Sequence, residues 1–258
     1  MHSTNIAVPS GMRRCCRLSN ACNTAVRREE MTLERGQRVG AAPGGGVRIY
    51  AVSTGLVALS AGLADGRRQI VELQAPQDVF CGAALKTSTR NVLWAEALTA
   101  TTLCALDFPP AALGERSPPA GMGERSPPAV MGERSPLAQL FGITHEKLSA
   151  SAMRMVTLGR LDGAERLCGF LAEMAHRIGQ RRGQGAHLTL PMSREDIADY
   201  LGLNAETVSR ILGRLKKSGL VRFTTPTQIV LPDLAAIEAR GAAPVFSKPV
   251  RSNAEAAA

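Results

Sequence analysis

Aromatic residues are scarce in this chain: only 3% of its 258 residues are Phe, Trp or Tyr, and it has a single Trp. A hydrophobic core must therefore be built mainly from Leu, Val, Ile, Ala and Met side chains. The composition is otherwise typical of a globular protein, with 45% hydrophobic and 21% charged residues. The length is sufficient for one large domain or two of ordinary size.

Long apolar runs are also missing. The longest uncharged run, residues 49–64, contains Ser, Thr and Gly, and it is shorter than the roughly 18–20 residues that a membrane-spanning helix needs. Near the N-terminus, Arg13 and Arg14 are not followed by the apolar segment of a signal peptide. These features predict a cytoplasmic protein with no membrane partner.

Histidine is rare, and residues 33–108 contain none. His2, His145, His176 and His187 are scattered, and none has a metal-ligand spacing to a cysteine or carboxylate. A cupin-type enzyme needs several His and a carboxylate around one cavity, so the chain is predicted not to be an enzyme. Its six cysteines, in a reducing compartment, argue against a disulfide framework and leave buried, metal-bound or redox-active thiols.

Positive charge is in excess, with a net charge of +9 and a pI near 9.8. This favours a polyanionic partner. Ribosomal, membrane-surface and regulatory proteins share such an excess, so the charge alone does not choose among them.

Alternating apolar residues predict short β-strands between about residues 33 and 108. Two alternating runs flank Asp65-Gly66, and because that pair tolerates positive φ, they predict a β-hairpin. Further strands are expected at residues 47–51, 79–81 and 101–106. Several short strands with regular turns are typical of a barrel or jelly roll.

A nine-residue repeat follows the predicted strands. Gly-Glu-Arg-Ser-Pro begins at Gly114, Gly123 and Gly132. The period is too short for a solenoid unit of about 20 or more residues, and a proline in every copy blocks a continuous helix. We interpret the repeat as an exposed linker with polyproline-like backbone.

Helical periodicity begins after the repeat. A heptad seam is formed by Leu137, Phe141, Thr144, Leu148, Ser151, Met155 and Leu158. The seam fits a dimerisation helix, and it fits equally a helix that packs on its own barrel. A second helix is predicted at residues 162–182, with Leu167, Phe170, Leu171, Met174 and Ile178 on one face.

The region 187–231 carries the sharpest signal for function. Ser193 and Asp196 form a capping-box-like start to a helix at residues 194–201, Gly202 supplies a turn, and Asn204 can cap a second helix that runs to about residue 218. The core face of the second helix is Val208, Ile211, Leu212 and Leu215. Two strands at residues 220–224 and 228–231 then form a wing. This order of elements is typical of a winged helix-turn-helix.

The exposed face of the second predicted helix has the chemistry of DNA recognition. Glu206, Ser209 and Arg210 lie in its N-terminal part, which meets base edges in the major groove. Arg pairs with guanine, Glu accepts from cytosine, and Ser contacts either strand. Basic residues further along the helix are better placed for phosphates: Arg214, Lys216 and Lys217.

The run from Leu190 to Leu220 resembles the DNA-binding domain of the Crp/Fnr superfamily in its Fnr/FixK branch. The residues from Glu206 to Arg210 match that branch's E-x-x-S-R reading motif. The resemblance implies a mixed α+β fold: an N-terminal cupin-like β-barrel of the cyclic-nucleotide-binding type, a long dimerisation helix and a C-terminal winged helix-turn-helix. It further implies a homodimeric transcription regulator with RNA polymerase as a partner, and it does not decide between an activator and a repressor. The DNA target it implies resembles TTGAT, four base pairs, then ATCAA.

These predictions divide the chain into six segments. They are a cysteine-containing arm (1–30), a barrel (31–112), the repeat linker (113–136), the dimerisation helix (137–160), the DNA-binding domain (161–240) and a mobile tail (241–258). Barrel and helix are joined by a short connection in the family, so the repeats are a departure from its pattern.

The resemblance also suggests which ligands the barrel could sense, and the first of these is a cyclic nucleotide. Cyclic-AMP binders have Gly-Glu followed by an Arg-Ser or Arg-Thr pair, whereas the comparable stretch here is Gln77-Asp78-Val79, and Arg90-Asn91 is not that pair. We therefore predict no cyclic-nucleotide ligand.

An iron–sulfur sensor is the other possibility that the family raises, since Fnr-type proteins hold a [4Fe–4S] cluster on four thiolates. The candidate ligands are Cys15, Cys16, Cys22 and Cys104. Arg13 stands where the usual third N-terminal cysteine would be. A FixK-like regulator that has no sensor or uses thiol redox chemistry is the alternative, and haem or another ligand is a third. Cys81 and Cys168 are interpreted as small core residues.

A non-specific architectural DNA-binding protein is the remaining alternative. Preference for the palindrome over scrambled DNA distinguishes the two, because specific sites bind at least about a thousandfold more tightly.

Overall fold

The computed structural model describes residues 27–39, 47–82, 93–108 and 136–241. The chain forms two compact units, residues 1–149 and 150–258, with the boundary inside one long helix. None of the helices in the described ranges is long and apolar enough to cross a membrane.

The described residues of the first unit form eight strands and the start of a helix. The strands are β1 (Arg27–Leu33), β2 (Arg38–Val39), β3 (Val47–Thr54), β4 (Val57–Gly62), β5 (Arg68–Gln74), β6 (Val79–Cys81), β7 (Leu93–Ala97) and β8 (Thr101–Phe108), and the helix is α1 (Pro136–Arg160). They form two antiparallel four-stranded sheets, ordered β1-β8-β3-β6 and β2-β7-β4-β5. The predicted β-rich N-terminal domain is confirmed, in the two-sheet form of the jelly roll.

Side chains from both sheets fill the core of this unit. The buried cluster includes Tyr50, Val52 and Leu103 of one sheet and Val57 and Ala95 of the other. Tyr50 stacks on Phe80 with 5.1 Å between ring centroids. Apart from these two rings the buried residues of this cluster are aliphatic, in keeping with the low aromatic content.

The predicted hairpin at Asp65-Gly66 is confirmed. It joins β4 to β5, and Gly66 has φ +85. The Leu63 N–H donates to the Arg67 carbonyl at 2.8 Å, and an Asp65 carboxylate oxygen accepts from the Arg67 N–H at 3.1 Å. The positive φ is the conformation that favours glycine at this position.

Two predicted boundaries need correction. Strand β1 begins at Arg27, inside the segment predicted as an arm (1–30). Among the described strands β1 pairs with β8 alone, at a sheet edge, so its polar residues are tolerated and hide the strand pattern. The helix predicted to end at residue 182 ends at Arg177. Beyond it the Ile178 and Gly179 N–H groups both donate to the Met174 carbonyl, and residues 180–182 form a strand.

Helix α1 covers the predicted dimerisation helix and begins with Pro136 in its first turn, a position that proline favours. Leu140 and Ile143 pack against the outer face of the β1-β8-β3-β6 sheet. Lys147 donates to Glu72 at 2.5 Å and to Gln74 at 3.1 Å on β5. The repeats before Pro136, the N-terminal 26 residues and the tail from residue 242 lie outside the described residues.

The second unit begins in the last turns of α1. Its other elements are α2 (Gly163–Arg177), β9 (Gln180–Arg182), β10 (Gly185–Thr189), α3 (Arg194–Leu201), α4 (Ala205–Lys217), β11 (Arg222–Phe223), β12 (Gln228–Leu231) and α5 (Leu234–Arg240). The four strands form one antiparallel sheet, ordered β11-β12-β10-β9. Helix α2 starts with a full capping box between Asp162 and Glu165.

Candidate nucleic-acid interface

Helix α3 and the turn after it have the predicted local structure. The Ser193 hydroxyl accepts from the Asp196 N–H, and an Asp196 carboxylate oxygen accepts from the Ser193 N–H, both at 3.0 Å. Gly202 ends the helix in the left-handed region with φ +63. The capping box and this turn fix where α3 begins and ends, and so where the next helix starts.

Helix α4 is amphipathic as predicted. Its first turn is capped by the Asn204 side-chain oxygen, which accepts from the Thr207 N–H at 2.7 Å. The four predicted core residues are buried: Val208, Ile211, Leu212 and Leu215. One face of α4 is therefore committed to packing, and the opposite face is left to solvent.

The three predicted base-reading residues lie together on the exposed face. Ser209 is exposed, and the side chains of Glu206 and Arg210 are 81% and 66% exposed. The Arg210 guanidinium donates to the Thr207 hydroxyl at 3.1 Å, and its Nε lies 3.9 Å from a Glu206 carboxylate oxygen. An acid, a hydroxyl and a guanidinium thus project from adjacent turns with no burial to prevent contact with a ligand.

The three predicted phosphate-binding residues are also exposed. Arg214 and Lys217 line an open concavity on α4 with Thr207, Arg210 and Gly213, whereas Lys216 lies outside it. Nothing lies within 4 Å of a Cβ built on Gly213, so the concavity has a bare helix backbone at its centre. Positive charge in the last turn of α4 also complements the helix dipole.

The wing is shorter than predicted on one side. Strand β11 covers only Arg222–Phe223, whereas β12 covers residues 228–231 as predicted. In the turn between them the Thr225 hydroxyl accepts from the Gln228 N–H at 3.0 Å. The turn residues 224–227 are exposed, which leaves their hydroxyl groups accessible.

Arg194 joins this wing to α3, a role that its position directly after the cap residue did not reveal. Its guanidinium lies over the Phe223 ring, 5.6 Å from the centroid, and donates to the Pro226 carbonyl at 3.5 Å. Burial lowers the pKa of Arg194 from its usual value. A half-buried cation at the start of α3 therefore adds positive charge between the helix-turn-helix and its wing.

Comparison with known proteins agrees with this geometry. A family model described as a Crp-like helix-turn-helix domain matches residues 165–240. The nitrogen fixation regulation protein FixK of Rhizobium meliloti (strain 1021) is 34% identical over 174 residues, covering 67% of this chain and 69% of that protein. FixK of Bradyrhizobium diazoefficiens is 35% identical over 194 residues, covering 75% of this chain and 74% of that protein. The solved structure of FixK2 from Bradyrhizobium japonicum is 30% identical, with a TM-score of 0.66 over 84% of this chain and 99% of that one.

The chain belongs to the Crp/Fnr family, in its FixK branch. The resemblance seen in residues 190–220 is thus confirmed, as is the mixed fold with an N-terminal β domain and a C-terminal helix-turn-helix. Members of the Crp/Fnr family are DNA-binding transcription regulators and not enzymes, in agreement with the prediction from the missing histidines.

The cysteines predicted to hold a cluster are only partly within the described residues. Cys15, Cys16 and Cys22 lie outside them. Cys104, on β8, is 3% exposed, in an apolar cluster that also contains Leu106 and Phe108 and is covered by Leu140 and Ile143 of α1. The described residues contain no group of three or more potential metal ligands.

The two cysteines interpreted as core residues differ from each other. Cys168 is fully buried on α2, and burial raises the pKa of its thiol, which fits an unreactive packing residue. Cys81, at the end of β6, is only half-buried. The structure therefore supports the interpretation as a core residue for Cys168 but not for Cys81.

Proposed function

We propose that this Crp/Fnr regulator binds, as a homodimer, a two-fold DNA site resembling TTGAT, four base pairs, then ATCAA. The observation that carries the proposal is the joint exposure of Glu206, Ser209 and Arg210 on the N-terminal half of α4. Their side chains match the donors and acceptors of base edges in the major groove. Arg214, Lys216 and Lys217 neutralise backbone phosphates and set the register of the helix.

The second copy is proposed to pair along the seam of α1. Phe141, Leu148 and Met155 recur every seven residues and are 74%, 69% and 69% exposed, whereas Leu140 and Ile143 pack on the β-sheet. Large apolar side chains at heptad spacing are the pattern of a coiled-coil interface. Of the rest of the seam, Thr144 and Ser151 are exposed and Leu158 is half-buried, and the side chain of Leu137 is not described.

Arg210→Ala is expected to weaken binding to the palindrome by about 1–3 kcal/mol and to relax selectivity at one base pair. Lys217→Ala should weaken binding to all sequences alike. It should also reduce the slope of log affinity against log salt concentration by about one, the loss of one phosphate contact. Fluorescence anisotropy against the palindrome, single-base variants and scrambled DNA, at two salt concentrations, separates the effects. The division into reading and positioning residues is wrong if the two variants behave identically.

The same titrations test the architectural alternative. The wild-type protein should prefer the palindrome over scrambled DNA by at least about a thousandfold. Equal affinities would remove the sequence-specific function. A regulator of this kind acts on DNA in the cytoplasm and is proposed to activate transcription through contact with RNA polymerase.

The barrel is proposed to work without an iron–sulfur cluster. A cluster on Cys15, Cys16, Cys22 and Cys104 would need the Cys104 sulfur to reach iron, and that side chain is packed under α1 among apolar residues. The buried site thus fits a packing thiol better than a ligand, and it supports a FixK-like regulator that is sensor-less or uses thiol redox chemistry. The cluster remains the alternative, with oxygen as its signal.

Protein purified without oxygen is expected to be colourless and free of iron and acid-labile sulfide, and to bind the palindrome. Cys104→Ala should leave DNA affinity unchanged, because the side chain is buried in an apolar cluster of the first unit. Visible absorbance together with iron and sulfide analysis provides the test. A brown protein that loses its iron on Cys104→Ala would instead establish the cluster.

In the turn comparable to the cyclic-nucleotide site, the Asp78 carboxylate is used within the turn itself. Gln77 has φ +77, and an Asp78 carboxylate oxygen accepts from the Ala75 N–H at 2.8 Å. Arg90 and Asn91 lie outside the described residues. This supports the proposal that no cyclic nucleotide is the ligand, and calorimetric heat with micromolar cyclic AMP would contradict it.

A further inference from the structure

Arg166 on α2 joins the ends of two other helices. Its Nη2 donates to the Leu158 carbonyl at 2.7 Å and its Nε to the Leu161 carbonyl at 2.9 Å, both at the C-terminal end of α1. Its Nη1 donates to the Leu201 carbonyl, the last residue of α3, at 3.0 Å. The last carbonyls of a helix lack partners within the helix. One planar guanidinium therefore ties the end of α1 to the end of α3.

Tyr200 provides a second tie between the same two helices. The side chain is 1% exposed, and the Arg154 guanidinium of α1 lies over its ring, 4.0 Å from the centroid, and donates to its oxygen. The hydroxyl donates to a Glu173 carboxylate oxygen at 3.0 Å, and Arg177 donates to the other oxygen at 2.7 Å. Burial and the charge of Glu173 raise the pKa of Tyr200, so the hydroxyl keeps its proton and its donor role.

Both ties meet at one narrow cleft, which is lined by Arg154, Arg166, Glu173 and Tyr200. Two separate contacts fix the angle between α1 and α3 more firmly than one, because a rotation about either contact would break the other. Partly burying Arg154, Arg166 and Glu173 is a poor way to gain stability alone, since apolar side chains of similar size often do as well. A satisfied polar network does, however, specify one arrangement of the helices that it joins.

We propose that Arg166 and the Arg154–Tyr200–Glu173 chain, together the α1–α3 clamp, set the half-site spacing that the dimer accepts. The inference rests on the proposed function: two copies pair along α1 and each reads DNA through α4. Helix α3 carries α4 across the Gly202 turn. The angle at the clamp therefore determines how far apart, and at what rotation, the two α4 helices lie.

The clamp residues act as positioning residues, because none of them lies on the exposed face of α4. Adding one base pair moves a half-site by about 3.4 Å and turns it by roughly 35° around the DNA axis. A rigid joint cannot follow that change. A more flexible joint can follow the change, but it then loses conformational entropy when the protein binds DNA.

The test measures affinity for palindromes with spacers of three, four and five base pairs. Wild-type protein should prefer the four-base-pair spacer by about a hundredfold or more, the gain from engaging both half-sites at once. Tyr200→Phe and Arg166→Gln should each reduce that preference to less than about tenfold, because either loss lets α3 pivot. Discrimination against a mismatched base within a half-site should be unchanged, since the reading residues are intact.

His176→Ala is the matched control. It removes the hydrogen bond between His176 Nε2 and a Glu238 carboxylate oxygen, 2.6 Å long, which joins α2 to α5 in the same unit. The substitution leaves the clamp in place. This variant should retain the spacer preference. Thermal melting confirms that each variant is folded, and Arg154→Lys, which keeps the charge but loses the planar stacking group, replaces any that is not.

The outcomes separate the two proposals. A wild-type protein that ignores the palindrome overturns the proposed function. A wild-type protein with a clear spacer preference that the clamp variants share overturns only the clamp. A uniform fall in affinity for all three spacers gives these residues a purely structural role and also overturns it.

Discussion

Leu148→Glu is expected to make the protein monomeric and to lower its affinity for the palindrome on the order of a thousandfold, the gain that bivalent binding provides. Leu148 is 69% exposed at the middle of the stripe formed by Phe141, Leu148 and Met155. In a symmetric pair each copy contributes the same position to the seam. The substitution would bury two carboxylates opposite each other with no counter-charge, which is strongly unfavourable.

Sedimentation or light scattering gives the oligomeric state, and anisotropy gives the DNA affinity of the same samples. Ala150→Glu is the control: residue 150 is also exposed on α1, but positions two apart on a helix do not share a face. It should leave the dimer and the affinity intact. A Leu148→Glu protein that stays dimeric would show that the stripe is exposed for another reason.

Helical features were predictable because they are local. The heptad spacing of α1, the capping box of Ser193 and the core face of α4 each depend on residues within a few positions of one another. The spacing of α1 alone did not identify the face of the helix that packs on the barrel. The packing of Leu140 and Ile143 decides it, since they come one residue before Phe141 and one before Thr144 on the helix.

Strands without a clear apolar alternation were harder to predict than the others. In β1 the residues Arg27, Arg28, Glu29 and Glu30 conceal the alternation, because an edge strand has only one neighbour and tolerates charge. Strand β7 (Leu93–Ala97) is short and mixes Trp94 and Glu96 with small residues. Periodicity gives little signal in such a segment.

Interactions between distant residues had no sequence signal at all. Arg166 donates to the backbone carbonyls of Leu158, Leu161 and Leu201. Because every residue has such a carbonyl, the sequence does not indicate which ones accept these bonds. The motif around Cys104 showed an apolar strand, but its burial under α1 depends on residues more than 30 positions away. The sequence therefore located helix α4, whereas the contacts that attach the helix-turn-helix to α1 were found only in the structure.

Gly185→Ala is the second large effect, and it should lower the free energy of unfolding of the DNA-binding unit by about 3 kcal/mol, at the upper end for overpacking. A Cβ at this position would lie 2.3 Å from the Leu231 carbonyl oxygen and 2.7 Å from that of Pro232. Both atoms are backbone, and Leu231 is paired with Ala186 in the β10–β12 ladder. Relief would require breaking that ladder, which supports the wing.

Gly183→Ala is the neighbouring control. Gly183 has φ +59, but nothing lies within 4 Å of the added Cβ, so only backbone strain of about 1 kcal/mol is expected. Urea unfolding followed by far-ultraviolet circular dichroism reports the helices of the second unit. Fluorescence of Trp94, the single Trp of the chain, reports the first. Because the clash is confined to the β10–β12 ladder, Gly185→Ala should shift the dichroism transition well below that of Gly183→Ala. Equal shifts for the two variants would mean that the β10–β12 ladder accommodates the added Cβ without a cost in stability. The wing would then be less rigid than its hydrogen bonds imply.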